Sequence, residues 1–321
     1  MLNQTGLPRR LFLSSMVGAG LANNLLAGGP RARSRITPQE FKEKLDGPIQ
    51  SIPTVYTSDF QIDRDGIRRI VDTGIRSGAK VFGLTAGDSQ YDFQTYEEIK
   101  QLTRTIVEAV AGRGMTIAAT GGWWTGQAVD YAKFADECGA DAVQIKLPTG
   151  DDDSLYEYFR QVAASTPLAI VLHGQMPAPL LKRLMEIDSI VAYKEEYPPT
   201  YTIDVFAHYG KRLNIFGGGQ KSRFLMYQPY GMHAYYEAFT TFAPAVPRQF
   251  WSAMKRGDLD TARQLMFRYD VPFFERWSHP FWRATMEHFG VAKRFLRPPN
   301  KTFTDDQMRE LAAFYKDLEL S

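Results

Sequence analysis

Short apolar runs alternate with longer amphipathic segments eight times between residues 49 and 239. The runs themselves show little polar–apolar alternation, which is typical of parallel strands covered on both faces. The segments between them place apolar residues at helical spacing. Eight such units over this length predict an α/β protein with a (β/α)8 TIM barrel. The predicted strands are 49–57, 79–87, 115–122, 141–148, 167–174, 189–195, 213–219 and 232–239.

A doubly wound open sheet is the main alternative fold. Such a sheet usually carries a glycine-rich turn after its first strand, and residues 52–60 contain no glycine. The segment GGGQKS at 217–222 does not satisfy the P-loop pattern, so we interpret it as a tight turn after the seventh strand. From residue 247 onward the alternation stops and the sequence predicts helices. We expect the barrel over residues 40–257 and a C-terminal helical region over residues 258–321.

Residues 1–29 have the layout of an export signal, in which Arg9 and Arg10 precede an apolar stretch and then small residues. The paired arginines resemble a twin-arginine signal, although Pro8 stands where that signal usually has Ser or Thr. A short amphipathic helix is the alternative. The apolar stretch is too short for a comfortable membrane span. We therefore expect a periplasmic or extracytoplasmic protein with no stable membrane span after processing, and a cytoplasmic one if the signal interpretation is wrong.

The charge and the cysteine and histidine content exclude several classes of function. Lys and Arg number 38 against 36 Asp and Glu, so no basic excess points to a nucleic-acid partner. The single cysteine, Cys138, excludes an internal disulfide framework and a cysteine-rich metal site. The five histidines show no tight ligand spacing. We therefore expect no metal at the active site.

The sixth predicted strand, SIVAYKE, ends on Lys194, followed by Glu195 and Glu196. In a (β/α)8 barrel the active site lies at the C-terminal ends of the strands. Removal from water disfavours the charged form of a lysine, and a neutral amine forms a Schiff base with a ketone. The alternative, which the spacing alone favours, is a solvated lysine paired with Glu195. We expect the two glutamates to shape the local field and not to act on substrate.

Other strand ends supply further candidates. His173 ends the fifth strand, next to the strand of Lys194, and suits a proton shuttle or an ordinary hydrogen-bonded core position. The turn Thr85–Gly87 offers a hydroxyl and consecutive backbone N–H groups that can hold a carboxylate, or it merely joins a strand to a helix. Gly218 ends the seventh strand and is a candidate substrate contact.

Several ordered segments resemble the dihydrodipicolinate synthase/N-acetylneuraminate lyase family. Residues 62–102 are similar to the segment that holds the family's first helix, second strand and GTTGE turn, and SIVAYKE resembles the NIVGIKD segment that carries its Schiff-base lysine. Residues 250–265 and 294–311 resemble its C-terminal helices. The resemblance extends over residues 49–318. It implies a cofactor-free lyase, a homotetramer or dimer, that binds a small 2-keto acid such as pyruvate on Lys194.

This sequence departs from the family pattern at positions that select the substrate. The family's strand-five tyrosine, a proton relay, falls on His173, and the GTTGE turn keeps Thr85 but has Ala86 in place of the second threonine. The aldehyde-binding arginine after strand five and the tyrosine handed across the subunit interface are both missing. These departures disfavour dihydrodipicolinate synthase activity itself.

The resemblance and the strand ends together predict an aldolase or dehydratase acting on a sugar-derived 2-keto acid. Lys194 forms the imine, and His173 and Thr85 move protons. Ala86 and Gly87 hold the keto-acid carboxylate, and Gly218 contacts the substrate. The alternative is a non-catalytic keto-acid or sugar-acid binding protein on the same barrel.

Overall fold

Eight parallel strands close into a barrel in the computed structural model, which describes residues 36–320. Each strand pairs with the next in the chain, and the eighth pairs with the first. This closure confirms the (β/α)8 prediction and excludes the open sheet. The strands are β1 (Gly47–Ser51), β2 (Val81–Gly83), β3 (Met115–Ala119), β4 (Ala142–Lys146), β5 (Ala169–His173), β6 (Ile190–Glu195), β7 (Asn214–Gly217) and β8 (Ala234–Tyr236).

The first strand is shorter at its C-terminal end than the sequence predicted. It ends at Ser51, and Pro53 follows two residues later. Proline has no N–H to donate to a neighbouring strand, so it does not continue a ladder in the middle of a sheet. Residues 52–57 therefore run on as a loop above the barrel.

Helices lie between the strands and after the last of them. Those before β8 are α1 (Pro38–Lys44), α2 (Arg64–Ser77), α3 (Tyr96–Val110), α4 (Thr125–Cys138), α5 (Asp152–Ala164), α6 (Ala178–Leu184), α7 (Pro199–Tyr209) and α8 (Lys221–Tyr227). Those after β8 are α9 (Ala245–Lys255), α10 (Leu259–Leu265), α11 (Val271–Glu275), α12 (His279–His288) and α13 (Asp305–Asp317). Short 3-10 turns occupy Tyr91–Phe93, Gln228–Tyr230 and Ala238–Thr241, and a π-helical turn occupies Met266–Asp270.

Local sequence signals set the bounds of these helices. Asp63 caps α2 by accepting a hydrogen bond from the N–H of Gly66, and α2 ends at Gly78, which has a φ of 89°. Thr95 and Glu98 form a capping box at the start of α3. The helices therefore begin and end where residue chemistry satisfies their terminal N–H and C=O groups.

One end of the barrel is closed by α1. Phe41 is fully buried and belongs to the apolar cluster that fills the barrel interior, which also contains Ile49, Val81 and Val171. The side-chain amide of Asn214, at the start of β7, donates to two carbonyls of the α1 region. Because this end is filled, small molecules reach the barrel interior from the C-terminal ends of the strands.

The helices after β8 extend to the loops at that open end. Arg283 of α12 is fully buried, and its guanidinium donates to the carbonyls of Thr54 (3.2 Å) and Asp88 (2.7 Å). The π-helical turn ends in Asp270, whose carboxylate lies 3.0 Å from the amine of Lys221. The C-terminal helices therefore hold the strand-end loops in place. The domain boundary between residues 257 and 258 stays a prediction.

The described residues also bear on membrane crossing. Between residues 36 and 320, no helix combines the length and the apolar character that a membrane span requires. The predicted export signal over residues 1–29 lies outside the part of the chain that the structure describes.

Candidate active site

Strand β6 places Lys194 inside the mouth of the barrel. Its amine lies 2.7 Å from the carboxylate of Glu196 and 5.1 Å from the centre of the Tyr236 ring. Only 4% of the residue is exposed. Lys194 is therefore buried and pairs with Glu196, in contrast to a solvated lysine that pairs with Glu195.

Glu195 points in the opposite direction, as the alternation of side chains along a strand requires. Its buried carboxylate forms an ion pair with Arg223 and accepts hydrogen bonds from the Thr202 hydroxyl (2.8 Å) and the Tyr197 N–H (3.0 Å). These contacts hold the loop after β6 against α7 and α8. Glu195 therefore has a structural role, and its neighbour Glu196 faces the barrel mouth.

A closed circuit of polar contacts surrounds Lys194. One oxygen of the Glu196 carboxylate accepts a hydrogen bond from the Lys194 amine. The other oxygen lies 3.0 Å from Nε2 of His173. Nδ1 of His173 lies 3.3 Å from the amide nitrogen of Gln144, whose oxygen accepts from the Tyr236 hydroxyl at 3.4 Å. The amide of Gln144 donates to Nδ1, so Nε2 carries the imidazole proton and donates it to Glu196.

The strand register explains why His173 and Lys194 are neighbours. The two residues lie directly opposite each other in the parallel β5–β6 pair, which confirms the predicted adjacency of their strands. Burial lowers the pKa of His173, and the positive charge of Lys194 lowers it further. A neutral imidazole therefore stands beside the lysine at pH 7.

Opposing effects act on the carboxyl group of Glu196. Burial raises its pKa, but the positive charge of Lys194 and the hydrogen bond from His173 outweigh burial and lower the pKa to about 2. Glu196 is therefore an ionised carboxylate throughout the physiological pH range.

Two glycines allow the side chains of this circuit to approach the barrel wall. A Cβ atom on Gly218 would lie 2.1 Å from Cγ of Glu196, and one on Gly83 would lie 2.3 Å from the Tyr236 hydroxyl. Both distances are far below van der Waals contact, so neither position accepts a side chain without displacing Glu196 or Tyr236.

A cavity of about 320 Å³ opens above these residues at the C-terminal ends of the strands. Both contacts of Lys194, Glu196 and Tyr236, line it, and so does the predicted substrate contact Gly218. Phe274 and Trp277 contribute an apolar wall from the C-terminal helices. The other lining residues are Ser51, Asp88, Gly219, Gln220, Arg223, Glu237, Ala238 and Trp282.

The turn after β2 supplies Asp88 to this cavity. Its carboxylate accepts a hydrogen bond from the Ser51 hydroxyl at 2.6 Å. Thr85 is buried, and its hydroxyl accepts from the N–H of Asp88 at 3.1 Å. Within residues 36–320, the backbone N–H groups of Ala86 and Gly87 donate to no protein acceptor. These free donors suit the predicted carboxylate site, and the roles of Thr85, Ala86 and Gly87 stay predictions.

Sequence reasoning gave Glu196 only a role in the local field, and it missed two other polar residues of the site, Tyr236 and Arg223. Glu196 had a detectable signal, because residues two apart on a strand share a face and Lys194 was already singled out. Tyr236 and Arg223 had none, since their positions depend on how β8 and α8 close the barrel. The described part of the chain contains no group of three or more His, Cys, Asp or Glu residues arranged to hold a metal ion.

Comparisons with known proteins agree with this geometry. The sequence profile of the dihydrodipicolinate synthetase family matches residues 44–318. A probable 5-dehydro-4-deoxyglucarate dehydratase of Bacillus subtilis is 23% identical over 278 residues, which cover 81% of this chain and 90% of that protein. A probable 5-dehydro-4-deoxyglucarate dehydratase 1 of Streptomyces coelicolor is 28% identical over 244 residues, or 71% of this chain and 77% of that protein.

Solved structures share the fold. N-acetylneuraminate lyase from Mycoplasma synoviae superposes with a TM-score of 0.77 at 17% identity, covering 87% of this chain and 99% of that one. Dihydrodipicolinate synthase from Bacillus clausii superposes with a TM-score of 0.78 at 18% identity, covering 87% of this chain and 100% of that one. The family profile and the shared fold confirm the resemblance that the sequence segments indicated.

Proposed function

This chain belongs to the dihydrodipicolinate synthetase family and is a lyase of the Schiff-base aldolase type, and we propose that it dehydrates a sugar-derived 2-keto diacid. The observation that carries the proposal is the buried amine of Lys194 at the end of β6, opposite His173 and in contact with two residues that line the cavity. A buried amine at this position of a (β/α)8 barrel meets a substrate away from bulk water.

The name of the dehydratase relatives suggests the class of substrate. The compound 5-dehydro-4-deoxyglucarate is a six-carbon diacid with a ketone at C5 beside one carboxylate, a methylene at C4 and a hydroxyl at C3. An imine at C5 withdraws electrons and acidifies the C4 protons. Loss of one C4 proton and of the C3 hydroxyl then releases one water molecule.

We assign the two ends of such a diacid to different groups at the mouth of the barrel. Lys194 attacks the ketone carbon, and the free N–H groups of Ala86 and Gly87 hold the adjacent carboxylate, with Thr85 and His173 taking part in proton movement. Arg223 is the one cationic residue among the described residues that line the cavity. It therefore receives the distal carboxylate.

Arg223 keeps donors available for this role. Its Nε and one terminal nitrogen bind Glu195, and the same terminal nitrogen donates to the carbonyl of Tyr197. Among the described residues, the other terminal nitrogen has no acceptor. Because Glu195 already balances its charge, Arg223 recognises a carboxylate mainly by directed hydrogen bonds.

Turnover of the diacid tests the proposal. Proton NMR of the purified chain with 5-dehydro-4-deoxyglucarate should show loss of the C3 proton signal of the substrate and growth of a dehydrated product, and the Lys194→Ala variant should show neither. The alternative of a non-catalytic binding protein predicts thermal stabilisation by the diacid with no product. Product formation by Lys194→Ala at the rate of the parent protein would overturn the proposal.

Export and assembly are separate proposals. We propose that residues 1–29 direct export and that the mature chain forms a homotetramer or dimer, as the signal pattern and the family resemblance indicate. Cell fractionation of the parent and of an Arg9→Lys/Arg10→Lys variant tests the first proposal, because loss of the paired arginines should retain the protein in the cytoplasm. Light scattering of the purified protein tests the second, and a monomer mass would contradict it.

A further inference from the structure

The carboxylate of Glu196 lies between two of the three groups that sequence reasoning assigned to catalysis. One oxygen contacts the Lys194 amine at 2.7 Å and the other contacts Nε2 of His173 at 3.0 Å. The side chains of Lys194 and His173 are 5% and 15% exposed, while that of Glu196 is 36% exposed. Of the three, Glu196 has the most exposed side chain, and it is the one that lines the cavity.

We propose that Glu196 is a catalytic residue, which removes the proton from the carbon beside the imine and delivers it to the departing hydroxyl. His173 is the positioning residue that holds this carboxylate. The proposal rests on the proposed dehydratase function and names the group that moves the proton. In this sequence His173 stands at the position of the family's relay tyrosine, and its Nε2 is directed at Glu196. The carboxylate is therefore the group beside the lysine that can accept a proton from the substrate.

Formation of the imine uses the contact between Lys194 and Glu196. The lysine ammonium gives one proton to the carboxylate, and the neutral amine attacks the ketone carbon. The nitrogen then passes one of its protons to the alkoxide oxygen, which gives the carbinolamine. The carbinolamine hydroxyl then takes a proton from Glu196 and leaves as water, and the iminium forms. Glu196 returns to its ionised state at the end of this sequence.

Elimination moves one proton in a closed cycle. The Glu196 carboxylate removes a proton from the carbon next to the iminium, and the electrons of that C–H bond form the enamine double bond while the nitrogen recovers its electron pair. The enamine then expels the β-hydroxyl, which takes the proton from Glu196 and leaves as water. Hydrolysis of the new iminium releases the product and restores Lys194.

The electrostatics of the site favour this cycle. The positive charge of Lys194 helps keep the pKa of Glu196 low at rest, so the base is ionised when substrate arrives. The enamine nitrogen is neutral, which removes that effect and allows the carboxyl group to hold the proton. The positive charge returns to the nitrogen as the hydroxyl leaves, and the Glu196 carboxyl group gives its proton to that hydroxyl.

The surrounding residues orient Glu196. Gln144 donates to Nδ1 of His173, which fixes the imidazole proton on Nε2 and directs it to the carboxylate. Gly218 leaves the space that Cγ of Glu196 occupies. The base is therefore held by β4, β5 and the loop after β7, on rigid elements of the barrel.

Hydrogen–deuterium exchange at the methyl group of pyruvate isolates the carbon proton transfer. Pyruvate forms the imine and enamine but has no β-hydroxyl to lose. In the Glu196→Gln variant we expect exchange in D2O, followed by NMR, to fall at least ~100-fold, the usual contribution of a general base. Trapping of pyruvate on Lys194 by borohydride, measured after the imine has reached equilibrium, should persist, because loss of the carboxylate slows imine formation but leaves the amine in place. Glu310→Gln removes one exposed charge on α13 and should match the parent protein.

The results that would overturn the proposal differ from those that would overturn the dehydratase function. Exchange by Glu196→Gln within about threefold of the parent would show that another group moves the proton. If Glu196→Gln loses both borohydride trapping and deuterium exchange at saturating pyruvate, the result would show that Glu196 acts only on the lysine. If Glu196→Gln fails to fold, Glu196→Ala with added formate replaces it, and the absence of formate rescue of exchange would count against the proposal. No adduct on the parent protein would refute the Schiff-base function itself.

Discussion

The amine of Lys194, near the end of β6, and the carboxylate of Glu196, the residue directly after that strand, lie 2.7 Å apart. Glu195, between them in sequence, faces the helices and binds Arg223. The end of β6 thus supplies a nucleophile and an ionised carboxylate to the barrel mouth, and a second carboxylate that binds Arg223 of α8. The predictions below test separate consequences of this arrangement.

Turnover should depend on the neutral state of His173. Lys194 and Glu196 face this ring from β6, and Gln144 and Lys146 face it from β4. Because burial and Lys194 lower the pKa of His173, the acid limb of the kcat/KM profile should lie below about pH 6.5, the ordinary histidine value. The His173→Gln variant should lose this limb. His208→Gln, at an exposed histidine of α7, should retain it, and a limb above neutral pH would contradict the assignment.

A methyl group at residue 218 should impair catalysis more than folding. The Cβ of Gly218→Ala would collide with Cγ of Glu196 and displace the carboxylate from Lys194. We expect kcat to fall at least ~10-fold, since misplacement of a catalytic group by about 1 Å can cost ~100-fold. Gly122→Ala is the matched control, because nothing lies within 4 Å of its added Cβ. Equal kcat values for the two variants would refute this prediction.

The buried ion-pair cluster of Lys221, Glu237 and Asp270 should contribute strongly to stability. The lysine amine lies 2.8 Å from Glu237 and 3.0 Å from Asp270, and all three residues are buried. Lys221→Met would leave two carboxylates without their cation, so we expect a loss of about 3–5 kcal/mol in the free energy of unfolding. Urea denaturation of the parent protein and of Lys221→Met at pH 7 measures this difference in the free energy of unfolding.

Two further variants serve as controls for this cluster. Lys255→Met breaks an exposed pair with Asp46 and should cost less than about 1 kcal/mol. The triple variant Lys221→Met/Glu237→Gln/Asp270→Asn should recover part of the loss, because it removes the unpaired charges. A Lys221→Met protein as stable as Lys255→Met would show that the cluster does not hold the C-terminal helices to the barrel.

Arg223 should discriminate diacid from monoacid substrates. Arg223→Lys keeps a positive charge beside Glu195 but loses the second terminal nitrogen of the guanidinium, the one left free for a substrate carboxylate. We expect KM for the diacid to rise about 10-fold, the effect of losing one charge-assisted hydrogen bond of about 1.5 kcal/mol. The pyruvate exchange rate, which needs no distal carboxylate site, should change little. An unchanged KM for the diacid would remove Arg223 from substrate recognition.

The sequence was sufficient to predict the barrel and the positions of Lys194 and His173. Apolar runs and helix caps are local signals, and parallel closure then brings successive strand ends together. Glu196 was within reach of the same reasoning, because it lies two residues beyond Lys194. The apolar wall from Phe274 and Trp277 was not, since no local pattern shows that helices beyond the barrel return to cover its mouth.

The shortened first strand shows a second limit of local patterns. An apolar run over 49–57 predicted a long strand, but Pro53 interrupts the ladder and the chain leaves the sheet after Ser51. The loop that results brings Thr54 to Arg283, a contact between residues more than two hundred positions apart. Only the folded structure shows such a pairing.

Mass spectrometry of the protein after treatment with pyruvate and borohydride tests the central claim most directly. The account predicts one reduced pyruvate unit per chain, which peptide mapping locates on Lys194, and no adduct on the Lys194→Ala variant. An unmodified parent protein, or an adduct that persists when Lys194 is replaced, would contradict the assignment of this residue as the Schiff-base nucleophile.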